Sequence, residues 1–214
     1  MLERVTWYRQ SAFRWRDDER TIYIDPWGTS ADAPLADIIF ITHAHFDHFR
    51  PDEIERLSSA ATAVVAPHDV AVELPGNVTA VEPGESHQVA GVRFTTVPAY
   101  NTREEALDFH PKANGWVGYL LEFDGQTYYH AGDTDHAPEL SDVRADVAML
   151  PVGGRFTMDV PAAARLARAI GPALAVPMHF GFVVGSASDG DRFAAAAAPV
   201  PVKVLVPENP FERR

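Results

Sequence analysis

Four residues with metal-binding side chains stand close together in the chain, at His43, His45, Asp47 and His48. Imidazole and carboxylate groups suit Zn²⁺, Fe or Mn²⁺. In an extended segment, residues two apart point to the same side, so His43 and His45 can converge on one cation. After the chain turns, Asp47 and His48 can face a neighbouring cation. The spacing therefore predicts a metal centre with two adjacent positions.

A short apolar run directly before this motif predicts the element that positions it. Residues 38–41 read Ile-Ile-Phe-Ile, which is typical of a strand buried on both faces. Strands are predicted over residues 5–8, 13–16, 21–24, 37–42, 63–66, 78–81, 92–97, 119–123, 127–130, 146–150, 173–178 and 202–206. Helices are predicted over residues 51–58, 161–170 and 192–198. His68 and His87, in polar surroundings, are expected at the surface, the latter in a turn.

Composition limits the classes of protein that need to be considered. The 214 residues, 46% hydrophobic and 22% charged, predict one globular domain over residues 1–214. The net charge of −12 argues against a nucleic-acid partner. Without cysteine, any metal must be held by His, Asp or Glu. With neither a signal-peptide pattern nor an apolar run of about 20 residues, we expect a cytoplasmic protein with no membrane partner. Formation of a homo-oligomer is left open.

The whole motif, residues 43–48, resembles the His-x-His-x-Asp-His signature of the metallo-β-lactamase superfamily. The resemblance extends over nearly the whole chain, which is similar to small metal-dependent hydrolases related to L-ascorbate-6-phosphate lactonase. Four further segments carry it: 23–27 (Tyr-Ile-Asp-Pro-Trp), 129–135 (Tyr-His-Ala-Gly-Asp-Thr-Asp), 150–154 (Leu-Pro-Val-Gly-Gly) and 177–181 (Pro-Met-His-Phe-Gly). The resemblance implies an α/β fold, a four-layer αββα sandwich with the site at one edge of its two sheets.

The same resemblance implies a ligand set. It gives one cation to His43 and His45, and the other to Asp47, His48 and His179. Asp133 would bridge the two cations, because one carboxylate can offer an oxygen to each. Behind the ligands, Asp25 would fix a ligand imidazole through its other N–H group. His130 is given a similar supporting place.

Two departures from the superfamily pattern fall near this site. A further ligand histidine is expected after the strand at 92–97, but Asn101 stands there. His110, held extended by the following proline, is predicted to replace it beside the first two histidines. Two alternatives stay open: Asn101 could itself be the ligand, or His110 could contact the substrate. Asn101 and Lys112 are also candidate substrate contacts. Relatives often read Thr-Trp-Leu-Gly-His where residues 6–10 read Thr-Trp-Tyr-Arg-Gln, which would affect substrate contacts.

These residues predict a metal-dependent hydrolase acting on an ester, lactone or phosphoester bond of a small metabolite. Two divalent transition-metal ions, Zn²⁺ first and Mn²⁺ or Fe next, would activate a water as hydroxide and polarise the scissile bond. Asp47 is the predicted catalytic residue, orienting the hydroxide and accepting its proton. An organic cofactor is not expected, because the chain has neither a G-x-G-x-x-G turn nor a P-loop.

Three other functions compete with hydrolysis of a metabolite. The complete first motif with Asp133 and His179 argues against a metal-binding or sensory module with a degenerate site, and the missing histidine keeps that alternative open. A di-iron oxidoreductase is disfavoured by His45, since such relatives resemble His-x-Glu-x-Asp-His, and by the lack of an electron-donor module. A tRNA-processing nuclease is disfavoured by the negative charge and the lack of an arm-like insertion.

Overall fold

The computed structural model describes residues 1–212 and arranges them as two six-stranded sheets packed face to face. The strands of the first sheet, neighbours in chain order, are β1 Val5–Trp7, β2 Phe13–Arg16, β3 Thr21–Ile24, β4 Ile38–Phe40, β5 Ala63–Pro67 and β6 Val78–Val81. Those of the second sheet, also neighbours in chain order, are β7 Ser86–Val89, β8 Val92–Pro98, β9 Val117–Phe123, β10 Gln126–His130, β11 Val147–Pro151 and β12 Leu174–Met178.

Helices cover the outer face of each sheet. They are α1 Pro51–Leu57, α2 His68–Ala71, α3 Val160–Ile170 and α4 Asp189–Ala196. The first two pack on the first sheet, and the last two on β11 and β12 of the second. Short 3-10 turns occur at Glu104–Ala106, Lys112–Asn114 and Pro138–Asp142. This arrangement confirms the predicted αββα sandwich. Within residues 1–212, none of the helices has the length and apolarity to cross a bilayer.

The continuous apolar run at residues 38–41 is explained by burial of β4 on both of its faces. Ile38 and Phe40 face the core between the sheets, where the Phe40 ring lies 5.1 Å from Phe94 and 4.9 Å from Tyr119 between centroids. Ile39 faces the opposite way, into a second cluster beneath α1 and α2. Burying one such side chain contributes about 1.5–3 kcal/mol. The strand is therefore held on both faces, and its end is a rigid place for a site.

Most predicted elements are confirmed, with bounds that differ by no more than two residues at either end; α4 begins three residues earlier than predicted. The predicted strand at 202–206 is wrong. Val202 forms only an isolated bridge with Ala175, since Pro201 and Pro207 have no N–H group with which to extend a ladder. His87 lies in β7 and not in a turn, and its half-buried ring stacks on Phe94. The Ser-His-Gln-Val sequence of β7 lacks the apolar alternation that would have revealed a strand.

The strands that carry the candidate residues end at one edge of the molecule. β3 and β4 run parallel, as do β10, β11 and β12, and carboxyl ends of parallel strands share an edge. Asp25 follows β3, and His43 comes three residues after the end of β4. Asp133 and His179 lie just beyond β10 and β12, and their side chains are 2.9 Å apart. The topology thus collects side chains from distant parts of the chain.

Gly153, just after β11, lies against the backbone of His179. A methyl group at Gly153 would be 2.2 Å from the His179 carbonyl oxygen and 2.3 Å from Cγ2 of Val184. We predict that Gly153→Ala lowers the free energy of unfolding by about 1–3 kcal/mol, the usual cost of overpacking. It should also weaken zinc uptake, because the segment holding His179 must move. Urea denaturation and a zinc titration measure the two effects.

Gly125→Ala, at the tip of the β9–β10 hairpin, is the control for this prediction. Its φ is +68°, and an added methyl group meets no atom within 4 Å. The substitution should cost about 1 kcal/mol through backbone conformation alone and leave zinc uptake unchanged. Wild-type zinc uptake by Gly153→Ala would show that the contact does not position His179.

Candidate metal centre

The buried carboxylate of Asp25 organises two of the candidate histidines from behind. Its Oδ2 accepts hydrogen bonds from the Thr42 hydroxyl and from Nδ1 of His48, each at 2.7 Å. Because the Thr42 hydroxyl donates to Asp25, its oxygen accepts from Nδ1 of His43 at 2.9 Å. In their neutral forms, both imidazoles therefore carry the proton on Nδ1. Each presents an unprotonated Nε2 to the space in front.

His110 reaches the same space from the loop that follows β8. The Asn101 amide Nδ2 donates to the Phe156 carbonyl oxygen at 2.9 Å, so Oδ1 accepts from Nδ1 of His110 at 2.7 Å. The Asn101 backbone N–H also donates to the His110 carbonyl oxygen at 2.9 Å. The ring of His110 lies 4.8 Å from that of His45 and 5.0 Å from that of His43. Asn101 thus turns Nε2 of His110 toward the motif histidines.

The candidate ligands fall into two neighbouring sets, within each of which the ligand atoms lie within 4.8 Å of one another. The first position is formed by His43, His45 and His110. The second position is formed by Asp47, His48 and His179.

The carboxylate of Asp133 lies between the two positions. Its Oδ2 is 2.9 Å from Nε2 of His179 and 3.4 Å from Nε2 of His110. Its Oδ1 is 3.3 Å from Nε2 of His48, and Asp133 also forms a compact set with His43 and His48. The structure therefore brings all seven sequence-predicted ligands together, including His110.

Several buried polar atoms at this centre have no hydrogen-bond partner within the described part of the chain. They are Nε2 of His48, Nε2 of His110, Nδ1 of His179 and Oδ1 of Asp133. Leaving a buried polar atom unpaired costs about 1–3 kcal/mol. Unprotonated imidazole nitrogens and carboxylate oxygens are also the atoms that bind Zn²⁺ and similar ions. The residues present therefore fit divalent cations at both positions.

The electrostatic environment differs between the two positions. Burial lowers the pKa of His43 well below its usual value, and burial together with His110 lowers that of His45 to about 4. Burial acts in the same direction on His48 and His179, but Asp133 and Asp47 outweigh it. The pKa of His48 is raised well above its usual value and that of His179 to about 9. Without metal at neutral pH, the first two histidines are neutral and the last two are protonated.

The two carboxylates of the centre stay ionised. Burial raises the pKa of Asp133, but His179 and His48 outweigh it, and the result lies well below the usual value. The same opposition, with His48 and His179 as the stronger influence, lowers the pKa of Asp47. Both carboxylates are therefore available to a cation at neutral pH.

A cavity of about 200 Å³ opens onto the metal-facing atoms. Its polar lining comes from the candidate ligands His45, Asp47, His110, Asp133 and His179. Its apolar lining comes from Phe46, Phe109, Phe156 and Val183. Phe46 is 60% exposed at the mouth, where its ring packs edge-on against Trp27.

The two candidate substrate contacts from the sequence lie away from this cavity. Asn101, a candidate substrate contact, is buried behind His110, where its side chain contacts His110 and Phe156 and does not line the cavity. The Lys112 ammonium is mostly exposed and contacts the Tyr100 hydroxyl and Glu139, so it too lies outside the cavity lining. An exposed ammonium group pairs with the nearest carboxylate, here Glu139, and the sequence does not show which carboxylate is nearest.

His130 is buried, as a supporting residue requires, but its hydrogen bonds are not to ligand side chains. Its Nε2 contacts the Ser11 carbonyl oxygen at 3.0 Å, and its Nδ1 accepts from the Gly132 N–H at 3.3 Å. It therefore secures two backbone segments, the β1–β2 turn and the turn before Asp133.

Sequence reasoning missed two residues at the centre. Thr42 links Asp25 to His43, and a lone threonine next to a histidine motif gives no signal of this. Gln10 is fully buried, with its side-chain amide 3.2 Å from Oδ2 of Asp47 and 3.0 Å from Nε2 of His179. Its signal was the departure at residues 6–10, which we linked to substrate contacts and not to the ligands.

Comparison with known proteins gives the class that this fold and site define. The family model described as the beta-lactamase superfamily domain matches residues 4–179. The chain belongs to the metallo-β-lactamase superfamily. Within this superfamily, the protein is a metal-dependent hydrolase, which is also the name given to its relatives.

The chain is 31% identical over 230 residues to the UPF0173 metal-dependent hydrolase of Methanopyrus kandleri, covering 98% of this chain and all of that protein. It is 37% identical over 187 residues to the UPF0173 metal-dependent hydrolase of Methanoculleus marisnigri, covering 83% and 80% of the two chains. A crystal structure of a protein from Parabacteroides distasonis matches with a TM-score of 0.82 at 31% identity, covering 94% of this chain and 91% of that one.

The contact between Asn101 and His110 gives a prediction for the first position. Asn101→Ala removes the acceptor for the Nδ1 proton of His110, so the ring loses its fixed orientation. Zinc affinity at the first position should fall by about 10- to 100-fold, as is typical when such a partner is lost. Asn101→Asp, which keeps an acceptor, should bind nearly as well as wild type. Competition with a chromophoric chelator measures the affinities.

Asn77→Ala, at an exposed position, is the matched control and should have no effect. If Asn101→Ala kept wild-type affinity for both equivalents of zinc, His110 would not be an oriented ligand.

The opposed pKa shifts predict different pH dependence at the two positions. A cation binding at the second position must displace protons from His48 and His179, whose pKa values are raised. Affinity there should therefore rise from pH 6 to about 9, the pKa of His179. His43 and His45 are already neutral over this range, so affinity at the first position should rise less steeply than at the second. Zinc calorimetry in two buffers of different ionisation enthalpy counts the protons released by each equivalent. Equal release from both equivalents contradicts this reasoning.

Proposed function

We propose that the protein hydrolyses an ester or lactone bond of a small, largely uncharged metabolite with the help of two divalent transition-metal ions. The observation that carries this proposal is the convergence of seven ligand side chains, five of which line a cavity whose other walls are apolar. The imidazole-rich donor set favours Zn²⁺, with Mn²⁺ or Fe next. The resemblance to the lactonase branch is in keeping with a lactone.

Each residue has a place in this proposal. The residues of the first position would hold one ion and those of the second position the other, with Asp133 as a ligand shared between them. When bound, the ions supply an acidified water and polarise the scissile carbonyl group. Asp25 and Asn101 keep ligand imidazoles in the orientation that presents Nε2. The core between the sheets includes Trp7 from the first strand and Phe193 from the last helix, which supports a single domain built from both sheets.

Asp47 accepts the proton that the attacking water loses. Its carboxylate lines the cavity and is ionised at neutral pH, because His48 and His179 hold its pKa below the usual value. It is therefore ready to take a proton and pass it to the leaving oxygen. Its second role, as a ligand at the second position, keeps it next to the reacting atoms.

The cavity walls favour an uncharged substrate. Phe46, Phe109 and Phe156 surround the opening, and the described residues that line it include neither lysine nor arginine. A phosphoester would therefore meet no cationic side chain from residues 1–212 there, whereas an acyl chain or ring would bury apolar surface at about 25 cal/mol per Å². Among the three bond types that the sequence allows, this favours esters and lactones over phosphoesters.

The test compares matched substrates on zinc-loaded protein. Nitrophenyl acyl esters and aromatic lactones should be hydrolysed with a kcat/KM at least about tenfold above that of nitrophenyl phosphoesters, a difference of about 1.4 kcal/mol. A chelator should abolish the activity, and divalent metal alone should restore it. Higher activity on the phosphoesters would contradict the proposed substrate class, and recovery that needed a flavin or nicotinamide would contradict hydrolysis.

Asp47→Ala should lower kcat by about 10²- to 10⁴-fold, the usual contribution of a proton acceptor. The variant should still bind one equivalent of metal at the first position. Asp18→Ala, at an exposed site in the β2–β3 turn, is the control and should leave kcat unchanged. Wild-type turnover by Asp47→Ala would remove Asp47 from the mechanism.

A further inference from the structure

Gln10 lies at the turn between β1 and β2 and has no role in the ligand set. It is fully buried, and its φ of +49° places a residue with a side chain in the left-handed region. That conformation is uncommon for residues other than glycine, and such strain often marks a functional position. The turn is closed by hydrogen bonds between Tyr8 and Ala12 and between Ala12 and Arg9. The fold therefore fixes the Gln10 backbone at this place.

The side chain of Gln10 contacts two members of the second position. Its amide Nε2 donates to Oδ2 of Asp47 at 3.2 Å and lies 3.0 Å from Nε2 of His179. Its Oε1 faces the backbone N–H of Val183 at 3.4 Å. Where Nε2 of His179 carries no proton, this orientation suits all three surroundings, because a backbone N–H can only donate and a carboxylate can only accept.

The backbone of Gln10 supports the same residues. Its carbonyl oxygen accepts from the His179 N–H at 2.9 Å and from the Trp7 indole N–H at 3.0 Å. His179 itself has a φ of +58°, so its backbone also depends on an external partner. Side-chain substitutions at Gln10 leave this backbone contact in place, which separates the role of the amide from that of the turn.

We propose that Gln10 is a positioning residue for the second position, where its amide N–H group holds Oδ2 of Asp47 beside His179. A carboxylate oxygen has two lone pairs, so Oδ2 can accept this hydrogen bond and still bind a cation. The amide is neutral and adds no charge to a centre that already holds Asp47 and Asp133. The inference rests on the proposed two-position ligand set.

The chemistry of the contact predicts how different replacements behave. Methionine has a similar length but no N–H group, so it removes the hydrogen bond while filling the space. Histidine can donate from a ring nitrogen and should preserve the contact. Glutamate would place a second carboxylate beside Asp47, and like charges at this distance repel. The order of zinc affinity at the second position should therefore be wild type, then histidine, then methionine, then glutamate.

The experiment is a Zn²⁺ titration of the metal-free full-length protein against a competing chelator. Gln10→Met should weaken one equivalent by about 10- to 100-fold, the range that corresponds to loss of a hydrogen bond to a charged group. The other equivalent should bind as in wild type. Gln10→His should stay within about threefold of wild type. Gln88→Met, at an exposed position on β7, is the matched control and should change neither equivalent.

A double-mutant cycle identifies the partner. In the Asp47→Ala background, Gln10→Met should have little further effect, because the group that it holds is already gone. An unchanged affinity in Gln10→Met overturns the inference, and so does tighter binding by Gln10→Glu, which would make residue 10 an oxygen ligand. If Gln10→Met does not fold, a folded Gln10→His variant that loses one equivalent overturns it equally. Wild-type protein that binds a single equivalent contradicts the two-position ligand set itself, and the inference falls with it.

Discussion

The buried carboxylate of Asp25 is the interaction on which the metal-facing geometry depends. It accepts the backbone N–H and the hydroxyl of Thr42, at 2.8 and 2.7 Å, and Nδ1 of His48. A charge buried this completely is costly unless it is paired and hydrogen-bonded. Three donors meet that requirement, and each comes from the end of β4 or from the turn that follows. The need to satisfy one carboxylate therefore fixes the histidine motif against β3.

The opposite side of the centre is held by a second buried carboxylate. Asp135 accepts from the backbone N–H groups of Thr102 and Arg103 at 2.9 and 3.0 Å, and from Nε of Arg103 at 2.9 Å. These bonds fasten the loop after β8 to the turn that carries Asp133. Ordering a loop costs about 1–2 kcal/mol per residue in conformational entropy. The hydrogen bonds to Asp135 offset part of that cost. Because they order the loop, His110 can be held in a fixed position although it lies outside any strand or helix.

A feature of the fold or the site could be predicted from the sequence when it depends on residues that are close together in the chain. The strand before the motif, the motif itself and the Gly-Asp-Thr segment are local patterns, so their elements were identified correctly from the sequence, and the candidate ligands that they carry lie together in the structure. β7 was missed because its sequence lacks the apolar alternation of a typical strand. A strand was wrongly predicted over residues 202–206 because the flanking prolines, which lack an N–H group, prevent the pairing that the apolar run suggests. The directions of the Asn101 and Lys112 side chains could not be predicted, since the direction of a loop side chain depends on its partners, here His110 and Glu139.

The sequence by itself determined the class of chemistry: without cysteine, four ligand-type residues between positions 43 and 48 leave nitrogen and oxygen donors on a metal centre. Through periodicity it also determined most of the strands that carry those donors. Only the tertiary structure decided that Asn101 and Gln10 support the ligands, because they contact side chains that lie far away in the sequence or across a loop. Hydrogen bonds of that kind depend on distances of about 3 Å. Such distances exist only after two sheets have packed and brought their strand ends to one edge.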